Sequence, residues 1–358
     1  IETTRVPPSV PQNRLASLDA FRGLTIAGMI LVNTPGSWDH VYTQLRHADW
    51  HGWTLTDLVF PFFLFIVGVA MTFSLAPRIE GGDTQGLWRK ILRRSLIIFG
   101  LGLLIALFPD FGFANLRVVG VLQRIAIVYL VCSWIVLSTS RRTQAWIAVA
   151  LLLGYWAAMT LLPVPGVGAG VLTPEGNLAA WVDRFVVPGQ MYRGSWDPEG
   201  LFSTIPAIAT TLLGVFTGYW IRSGRDHARI ASSMLLVGTG AVLAGLAWDR
   251  VFPINKNLWT SSYVVFTAGA ALIALALCYW LIDLRGSRRW AQPAIVYGLN
   301  PLAIYVLSSL VAKLFGRIGL TQWAWETLFL PWLSPSNASL AFALLWVILW
   351  WGFATLLY

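Results

Sequence analysis

The stretch Leu58-Val-Phe-Pro-Phe-Phe-Leu-Phe-Ile-Val-Gly68 carries no charge and continues into a longer apolar run. Directly before it lies a polar stretch from Asn33 to Asp57, which contains His40, His47 and His51. A second apolar run precedes that polar stretch. A titratable loop between two apolar segments is where chemistry at a membrane surface would take place.

The composition predicts a polytopic membrane protein. Of its 358 residues, 57% are hydrophobic and 11% are charged, whereas soluble domains carry about 25% charged residues. Cys132 and Cys278 lie in separate apolar runs, which favours two buried thiols over a disulfide or a metal site. The net charge of +9 does not indicate a nucleic-acid partner, because the basic residues cluster at the ends of apolar runs.

Runs near the roughly 20 residues that cross a bilayer predict an all-α polytopic membrane protein with about ten transmembrane helices. They form a single domain over residues 1–358, with spans at 15–34, 54–77, 89–108, 118–139, 143–162, 202–222, 228–250, 259–283, 293–314 and 337–357. The shorter aromatic segment 319–334 is predicted to be interfacial or re-entrant. Gly100 and Gly102 could pack helices closely, but they leave open whether the chain forms a homo-oligomer.

The basic residues predict the orientation of the chain. Most of the 25 lysines and arginines lie in the N-terminal stretch and in the second, fourth, sixth and eighth connections: Arg5, Arg14, Arg22, Arg78, Arg89, Lys90, Arg93, Arg94, Arg141, Arg142, Arg222, Arg225, Arg229, Arg285, Arg288 and Arg289. Basic residues are enriched on the cytoplasmic side, so both termini are predicted to be cytoplasmic. The outer connections are then 35–53, 163–201, 251–258 and 315–336, and function is expected there because loops carry most binding residues.

His47 is the candidate for chemistry in the first outer loop. An imidazole can take a proton from a substrate at neutral pH or attack an acyl group directly. Asp57, at the start of the second span, could orient the ring, and Asn33, at the end of the first, could donate to an oxyanion. A loop histidine beside tryptophans also fits an interfacial anchor. His47 and His51 have the H-x3-H spacing of some metal sites, but without a third ligand no metal is expected.

Polar residues inside the predicted spans are further candidates. Asp19 and Arg22 are three residues apart and are predicted to form an ion pair at a helix end. A guanidinium inside the fourth span is costly unless it pairs or lines a wet cavity, which makes Arg124 a candidate together with its neighbour Gln123. Asn300-Pro301 interrupts the ninth span, and a packing kink and a role in binding fit this break equally well.

Several motifs follow one another along nearly the whole chain. They are Arg14-Leu-Ala-Ser-Leu-Asp19-Ala-Phe-Arg22-Gly23, Val32-Asn33, His47-Ala-Asp-Trp-His-Gly52-Trp-Thr-Leu-Thr-Asp57-Leu-Val-Phe-Pro61, Arg117-Val-Val-Gly-Val-Leu-Gln123-Arg124, Asp197-Pro-Glu199-Gly200, Asn255-Lys-Asn257-Leu-Trp259 and Asn300-Pro301. With these motifs the chain resembles the membrane acetyltransferases related to heparan-α-glucosaminide N-acetyltransferase, in particular their bacterial members.

The resemblance implies that acetyl-CoA in the cytoplasm donates an acetyl group to a glucosamine-type amino sugar outside a bacterial inner membrane. It places the family's catalytic histidine on His47, its asparagine on Asn33 and its acid on Asp57. The remaining motif residues are then candidates for binding CoA or the sugar: Gln123, Arg124, Asp197, Glu199, Asn255, Lys256, Asn257 and Asn300.

The sequence departs from the family pattern on the acceptor side. The run 34–40 replaces a glycine-rich run, and His51 stands where an asparagine usually precedes Gly52. The identity of the acceptor therefore stays open, and an O-acetyltransferase of envelope polysaccharides is an alternative. His47 could act as a general base or as an acyl carrier. A small-solute transporter is a third interpretation, but the two halves show no internal repeat that would support it.

Overall fold

The computed structural model describes residues 15–80 and 85–357, with only the backbone for residues 76–80 and 85. Arg5, Arg14 and the side chain of Arg78, which entered the count of basic residues, lie outside this part. The described chain is helical and contains no β-strand. Its helices are α1 (Ala16–Asn33), α2 (Leu55–Glu80), α3 (Gln85–Leu107), α4 (Val121–Ser138), α5 (Arg141–Leu161), α6 (Leu178–Val186), α7 (Thr204–Ile221), α8 (His227–Trp248), α9 (Ser261–Cys278), α10 (Gln292–Leu299), α11 (Pro301–Arg317), α12 (Leu320–Ala324) and α13 (Pro335–Leu356).

The all-helical membrane class is confirmed, and each of the ten predicted spans coincides with a helix or a helix pair. By length and composition, seven helices of the described chain can cross a membrane, or eight if α10 and α11 form one span. Among the predicted spans, α1 and α3 fall outside this set. α1 contains Asp19 and Arg22, and α3 contains Arg89, Lys90, Arg93 and Arg94. α10 and α11 bend by 84° at Asn300-Pro301, which explains the break predicted in the ninth span.

α1 and α10 contact each other through their backbones. A Cβ atom on Gly23 would lie 1.7 Å from the carbonyl oxygen of Ala294, and one on Gly298 would lie 1.9 Å from that of Asp19. Only glycine permits this approach. Asp19 and Arg22 form the predicted ion pair on α1, with 2.8 Å between Oδ1 and Nη1. The guanidinium also donates to the carbonyl oxygen of Gly298, 3.2 Å away, so the pair ties α1 to α10.

The connections that the sequence assigns to one side of the membrane contact one another at one end of the bundle. The amide of Gly52 donates to the carbonyl of Ile254 at 2.8 Å, which joins the first and seventh connections. Arg117, before α4, pairs with Asp197, before α7. At the opposite end, the amide of Ser17 donates to Asp283 at 3.2 Å. Connections of odd and even number therefore lie at opposite ends of the bundle. Which of the two ends faces the cytoplasm stays a prediction.

The aromatic segment 319–334 consists of short turns. α12 leads into a π-helix at Trp325–Phe329, and Trp323 and Trp332 are 54% and 84% exposed. Trp325 stacks on His40 of the first connection, with 5.8 Å between ring centroids. The segment therefore lies at the same end of the bundle as the first connection, and its depth in a bilayer stays a prediction.

Candidate active site

His47 and Asp57 form a hydrogen-bonded pair at the start of α2. The imidazole Nδ1 lies 2.6 Å from Asp57 Oδ1. The carboxylate is 1% exposed, whereas the His47 side chain is 48% exposed. With Nδ1 donating to the carboxylate, Nε2 carries the lone pair that can accept a proton. The pair therefore has the arrangement in which a buried acid orients an accessible base.

The local sequence explains why Asp57 is fixed at this position. The amide of Thr54 donates to Asp57 Oδ2 at 3.0 Å, and the amide of Asp57 donates to the carbonyl of Thr54 at 3.1 Å. This resembles a capping box, in which an acid three residues into a helix binds back to the residue at its start. The amide of Ala48 also donates to Oδ2, at 3.1 Å. Asp57 is therefore held independently of His47.

The loop between α8 and α9 brings a lysine to the imidazole. Lys256 Nζ lies 3.2 Å from His47 Nε2 and 3.4 Å from Nδ1. Its neighbour Asn255 is fully buried, and its Oδ1 accepts from the amide of Leu258 at 2.9 Å. Asn255 also donates to His51 Nδ1 at 3.3 Å. Burial lowers the pKa of the His51 imidazole, which favours the neutral ring that can accept this hydrogen bond.

Asp197 and Glu199 are engaged by Arg117. Arg117 Nε donates to Asp197 Oδ2 at 2.7 Å, and its Nη2 donates to Asp197 Oδ1 and to Glu199 Oε2. Burial alone would raise the pKa of Glu199, but the positive charge of Arg117, assisted by Lys256, holds it below its usual value. Glu199 also acts on Lys256. Both carboxylates were predicted as binding residues, and their roles toward substrates stay predictions.

Arg124 is enclosed by the turn that precedes α7. It is 1% exposed, and its guanidinium donates to the carbonyl of Gly200 at 3.0 Å and to the hydroxyls of Ser203 and Thr204. Its Cζ lies 5.0 Å from the ring centroid of the buried Trp259. Among the described residues, none forms a hydrogen bond with the third guanidinium nitrogen, Nη1. These contacts explain how a buried guanidinium is tolerated inside a span, and a contact to CoA stays a prediction.

The remaining predicted residues are spread over other parts of the described structure. Asn33 is exposed and lines a cavity of about 130 Å³ with Trp38 and Trp346, and no described contact joins it to His47. Gln123 is buried against Gly102 of α3. Asn257 is partly exposed beside Lys256, and Asn300 stands at the bend between α10 and α11. Their proposed roles in catalysis and binding stay predictions.

A larger cavity, of about 420 Å³, runs along α2 inside the bundle. Its lining includes Asp19, Arg22, Phe63, Ser74, Arg94 and Leu122. From Ser74 to Phe63 it follows α2 for roughly 16 Å, toward the end that carries Asp57. A smaller cavity shares Phe63 and Leu122 with it and reaches Met29 and Tyr305. Within the described structure, these two cavities extend from the basic end of the bundle along α2 in the direction of the His47 end, and neither is lined by His47 or Asp57.

Sequence reasoning did not include Arg117 and Trp50 among the site residues. Arg117 stands before a span, and the Asp-x-Glu motif at Asp197 and Glu199 offers two carboxylates for a basic partner, which is a signal for such a pair. Trp50 packs on Trp196 with 5.0 Å between ring centroids. In the part of the chain that the structure covers, no group of three or more His, Cys, Asp and Glu side chains could hold a metal ion.

Comparison with known proteins agrees with this architecture. Residues 14–234 match the family model described as heparan-alpha-glucosaminide N-acetyltransferase, catalytic. The match covers more than half of the chain, so the chain belongs to this family of membrane acetyltransferases.

Two curated relatives carry that name. The chain is 30% identical over 352 residues to the human heparan-alpha-glucosaminide N-acetyltransferase, a match that covers 82% of this chain and 52% of the human protein. It is 29% identical over 353 residues to the mouse protein of the same name, covering 82% of this chain and 53% of the relative. The chain thus spans about half the length of these relatives.

Proposed function

We propose that the protein transfers an acetyl group from acetyl-CoA to the amine of a glucosamine-type sugar, with His47 as the general base. The observation that carries this proposal is the contact between His47 Nδ1 and the buried Asp57 carboxylate, which leaves Nε2 accessible. Membership of the acetyltransferase family supports the reaction class. The names of the human and mouse relatives support an amino-sugar acceptor.

In the proposed reaction the acceptor amine attacks the thioester carbonyl while His47 Nε2 takes its proton. The carbonyl π electrons move to oxygen and form a tetrahedral oxyanion. When this collapses, the C–S bond breaks and the CoA thiolate leaves, receiving the proton from His47. Asp57 stabilises the intervening imidazolium and keeps the ring oriented. An acetyl-imidazole on Nε2 is the alternative route through the same atom.

The 420 Å³ cavity is the proposed path of the donor. Arg22 and Arg94 line its basic end, where guanidinium groups could bind the phosphates of CoA. The apolar stretch toward Phe63 could hold the pantetheine arm and lead the thioester toward His47. The orientation predicted from the basic residues would place the arginines in the cytoplasm and the His47 loop outside, in a bacterial inner membrane.

The acceptor is proposed to bind beside His47 at the outer end. Trp50 packs on Trp196, and its ring centroid lies 6.2 Å from that of His51. Aromatic faces provide apolar surface for a sugar ring while their polar edges stay wet. His51, the departure from the family pattern, thus stands next to this aromatic surface and is a candidate for setting which sugar is accepted.

The test measures acetyl transfer from radiolabelled acetyl-CoA by the purified protein, with glucosamine and a panel of amino sugars as acceptors. His47→Ala should lose at least about 100-fold in rate, because general-base catalysis contributes about 10²–10⁴-fold. The matched control is His40→Ala, which removes an exposed imidazole of the same loop that stacks on Trp325.

The outcomes separate the proposed function from its alternatives. Transfer that disappears with His47→Ala and persists with His40→Ala would support the proposal. A labelled product cleaved by hydroxylamine would identify an ester and thus the O-acetyltransferase. Unchanged transfer in His47→Ala would overturn the assignment of the base.

A further inference from the structure

Lys256 is positioned over the ring of His47. Its Nζ lies at nearly equal distances from the two ring nitrogens, 3.2 Å from Nε2 and 3.4 Å from Nδ1. The two ring nitrogens of an imidazole are bonded to one shared carbon. If Lys256 Nζ lay in the ring plane at these distances from both nitrogens, it would collide with that carbon or with the opposite edge of the ring. The ammonium therefore lies against the face of the ring.

This placement leaves the catalytic lone pair free. The Nε2 lone pair lies in the plane of the ring, whereas the ammonium is above it. Asp57 occupies the in-plane direction at Nδ1, with 2.6 Å to Oδ1. An acceptor amine can thus approach Nε2 in the plane while a positive charge remains beside it.

The loop between α8 and α9 fixes the position of Lys256. The carbonyl of Lys256 accepts from the amide of Trp259 at 3.1 Å, and the amide of Thr260 donates to the carbonyl of Asn255 at 3.2 Å. Trp259 is fully buried and has a positive φ of 51°. Since few bulky residues adopt this conformation, the packing of Trp259 must hold the turn in place.

Charged groups from several elements surround the lysine. The carboxylates of Glu199, before α7, and Asp57, on α2, favour the charged ammonium, whereas Arg124, on α4, and Arg117, before α4, disfavour it. Burial is the largest influence and lowers the pKa of Lys256 below that of an ordinary lysine. His47 faces the same ammonium directly.

We propose that Lys256 is a catalytic residue that stabilises the oxyanion formed when the thioester carbonyl is attacked. The inference rests on the proposed acetyl transfer. It assigns the oxyanion role to Lys256 because its ammonium contacts the ring of His47, the proposed base. Asn33, the residue expected from the sequence in that role, lies at a separate cavity. A positive charge fixed beside the reacting nitrogen is the kind of group that stabilises such an intermediate.

The charge balance of the step is complete without a further reactant. As the amine forms its bond to the carbonyl carbon, the π electron pair moves to oxygen, where the Lys256 ammonium offsets the new negative charge. Lys256 keeps its proton throughout. The pair returns to re-form the carbonyl when the C–S bond breaks, and His47 passes the amine proton to the thiolate.

The test compares Lys256→Met, Lys256→Arg and the wild type in acetyl transfer. Lys256→Met should lower kcat by about 10²–10³-fold, the usual effect of removing one oxyanion donor, with the KM values for donor and acceptor changed little. Lys256→Arg should have a kcat at least about tenfold higher than that of Lys256→Met, because the positive charge is kept. Lys313→Met is the matched control, since Lys313 instead donates to the carbonyls of Ile105 and Phe108.

The pH profile supplies a readout that a purely structural role would not change. The wild-type rate should fall at alkaline pH as Lys256 loses its proton, and burial brings this limb below the range of an ordinary lysine. Because a guanidinium stays charged, the alkaline limb of Lys256→Arg should lie at higher pH.

Two results would overturn the inference. A Lys256→Met protein with kcat within about threefold of wild type would refute it while leaving the proposed function intact, since a lost oxyanion donor costs far more. An equal loss in Lys256→Met and Lys256→Arg, with normal CoA binding and an unchanged pH profile, would also refute it. Absence of transfer by the wild type would instead refute the proposed function itself.

Discussion

Asp57 both caps the start of α2 and orients the ring of His47. Its Oδ2 accepts from the amides of Thr54 and Ala48, and its Oδ1 binds His47. A carboxylate at a helix start is stabilised by the unpaired amides there. The same amides fix the orientation of the carboxylate, so the His47 ring is held by an acid that cannot turn away.

The first prediction concerns a single residue, Arg94. Its guanidinium lines the 420 Å³ cavity and lies over the ring of Tyr129, 5.2 Å from its centroid. If CoA phosphates bind there, Arg94→Ala should raise the KM for acetyl-CoA about tenfold or more and leave kcat largely unchanged, as expected for a charged hydrogen bond lost from binding. Steady-state kinetics with varied acetyl-CoA would measure this.

Arg93→Ala is the matched control for Arg94. Arg93 is the exposed neighbour on α3 and does not line the cavity. An equal rise of the KM in both variants would point to general surface attraction of the anionic donor. No rise in Arg94→Ala would remove this cavity as the donor path.

At the scale of the element, the approach of α1 to α10 depends on glycine. Gly298→Ala would place a methyl group 1.9 Å from the carbonyl oxygen of Asp19. The helices must then separate, which should lower the free energy of unfolding by about 1–3 kcal/mol, the usual cost of overpacking. Thermal unfolding of the purified protein would measure the loss.

Gly154→Ala provides the control within a helix. A Cβ at Gly154, on α5, would meet no atom of the described residues within 4 Å. Alanine has the higher helix propensity, so this variant should be unchanged or stabilised by up to about 1 kcal/mol. Equal destabilisation of both variants would show that backbone contact between α1 and α10 is not what makes Gly298 necessary.

In the molecule as a whole, the connections between helices lie at two opposite ends of the bundle. The end with His47 gathers the first, seventh and other odd connections, and the 420 Å³ cavity proposed as the donor path is lined by Asp19 and Arg94 at the opposite end. A reaction at one end, supplied from the other, requires an internal path between them. The cavity along α2 has the direction that this requires.

Cysteine labelling tests the orientation of the bundle. The native Cys132 and Cys278 are both buried and should give little background. In intact cells a membrane-impermeant maleimide should label Glu175→Cys, which replaces an exposed side chain in the outer connection 163–201. Arg225→Cys, exposed in the sixth connection, should be labelled only after permeabilisation. The reverse pattern would place the His47 loop in the cytoplasm.

The membrane class, the helical segments and the His47–Asp57 pair could all be predicted from the amino-acid sequence. Apolar runs of spanning length identify helices locally, because a bilayer leaves few alternatives for the backbone. The pair was predicted because Asp57 stands at the start of the second span, ten residues after His47, and because the family resemblance places a histidine and an acid at these positions. The motifs that carry the family resemblance were likewise read directly along the chain.

Contacts between side chains that are distant in the sequence became known only from the folded structure. Lys256 contacts His47, which is 209 positions away in the sequence, and Arg117 contacts Asp197, which is 80 positions away. The folded structure also placed Asn33 at a separate cavity and surrounded Arg124 with the turn before α7. Helical periodicity carries no information about how loops between distant helices fold onto one another. Those contacts depend on the packing of the whole bundle, which brings the ends of nonadjacent helices together.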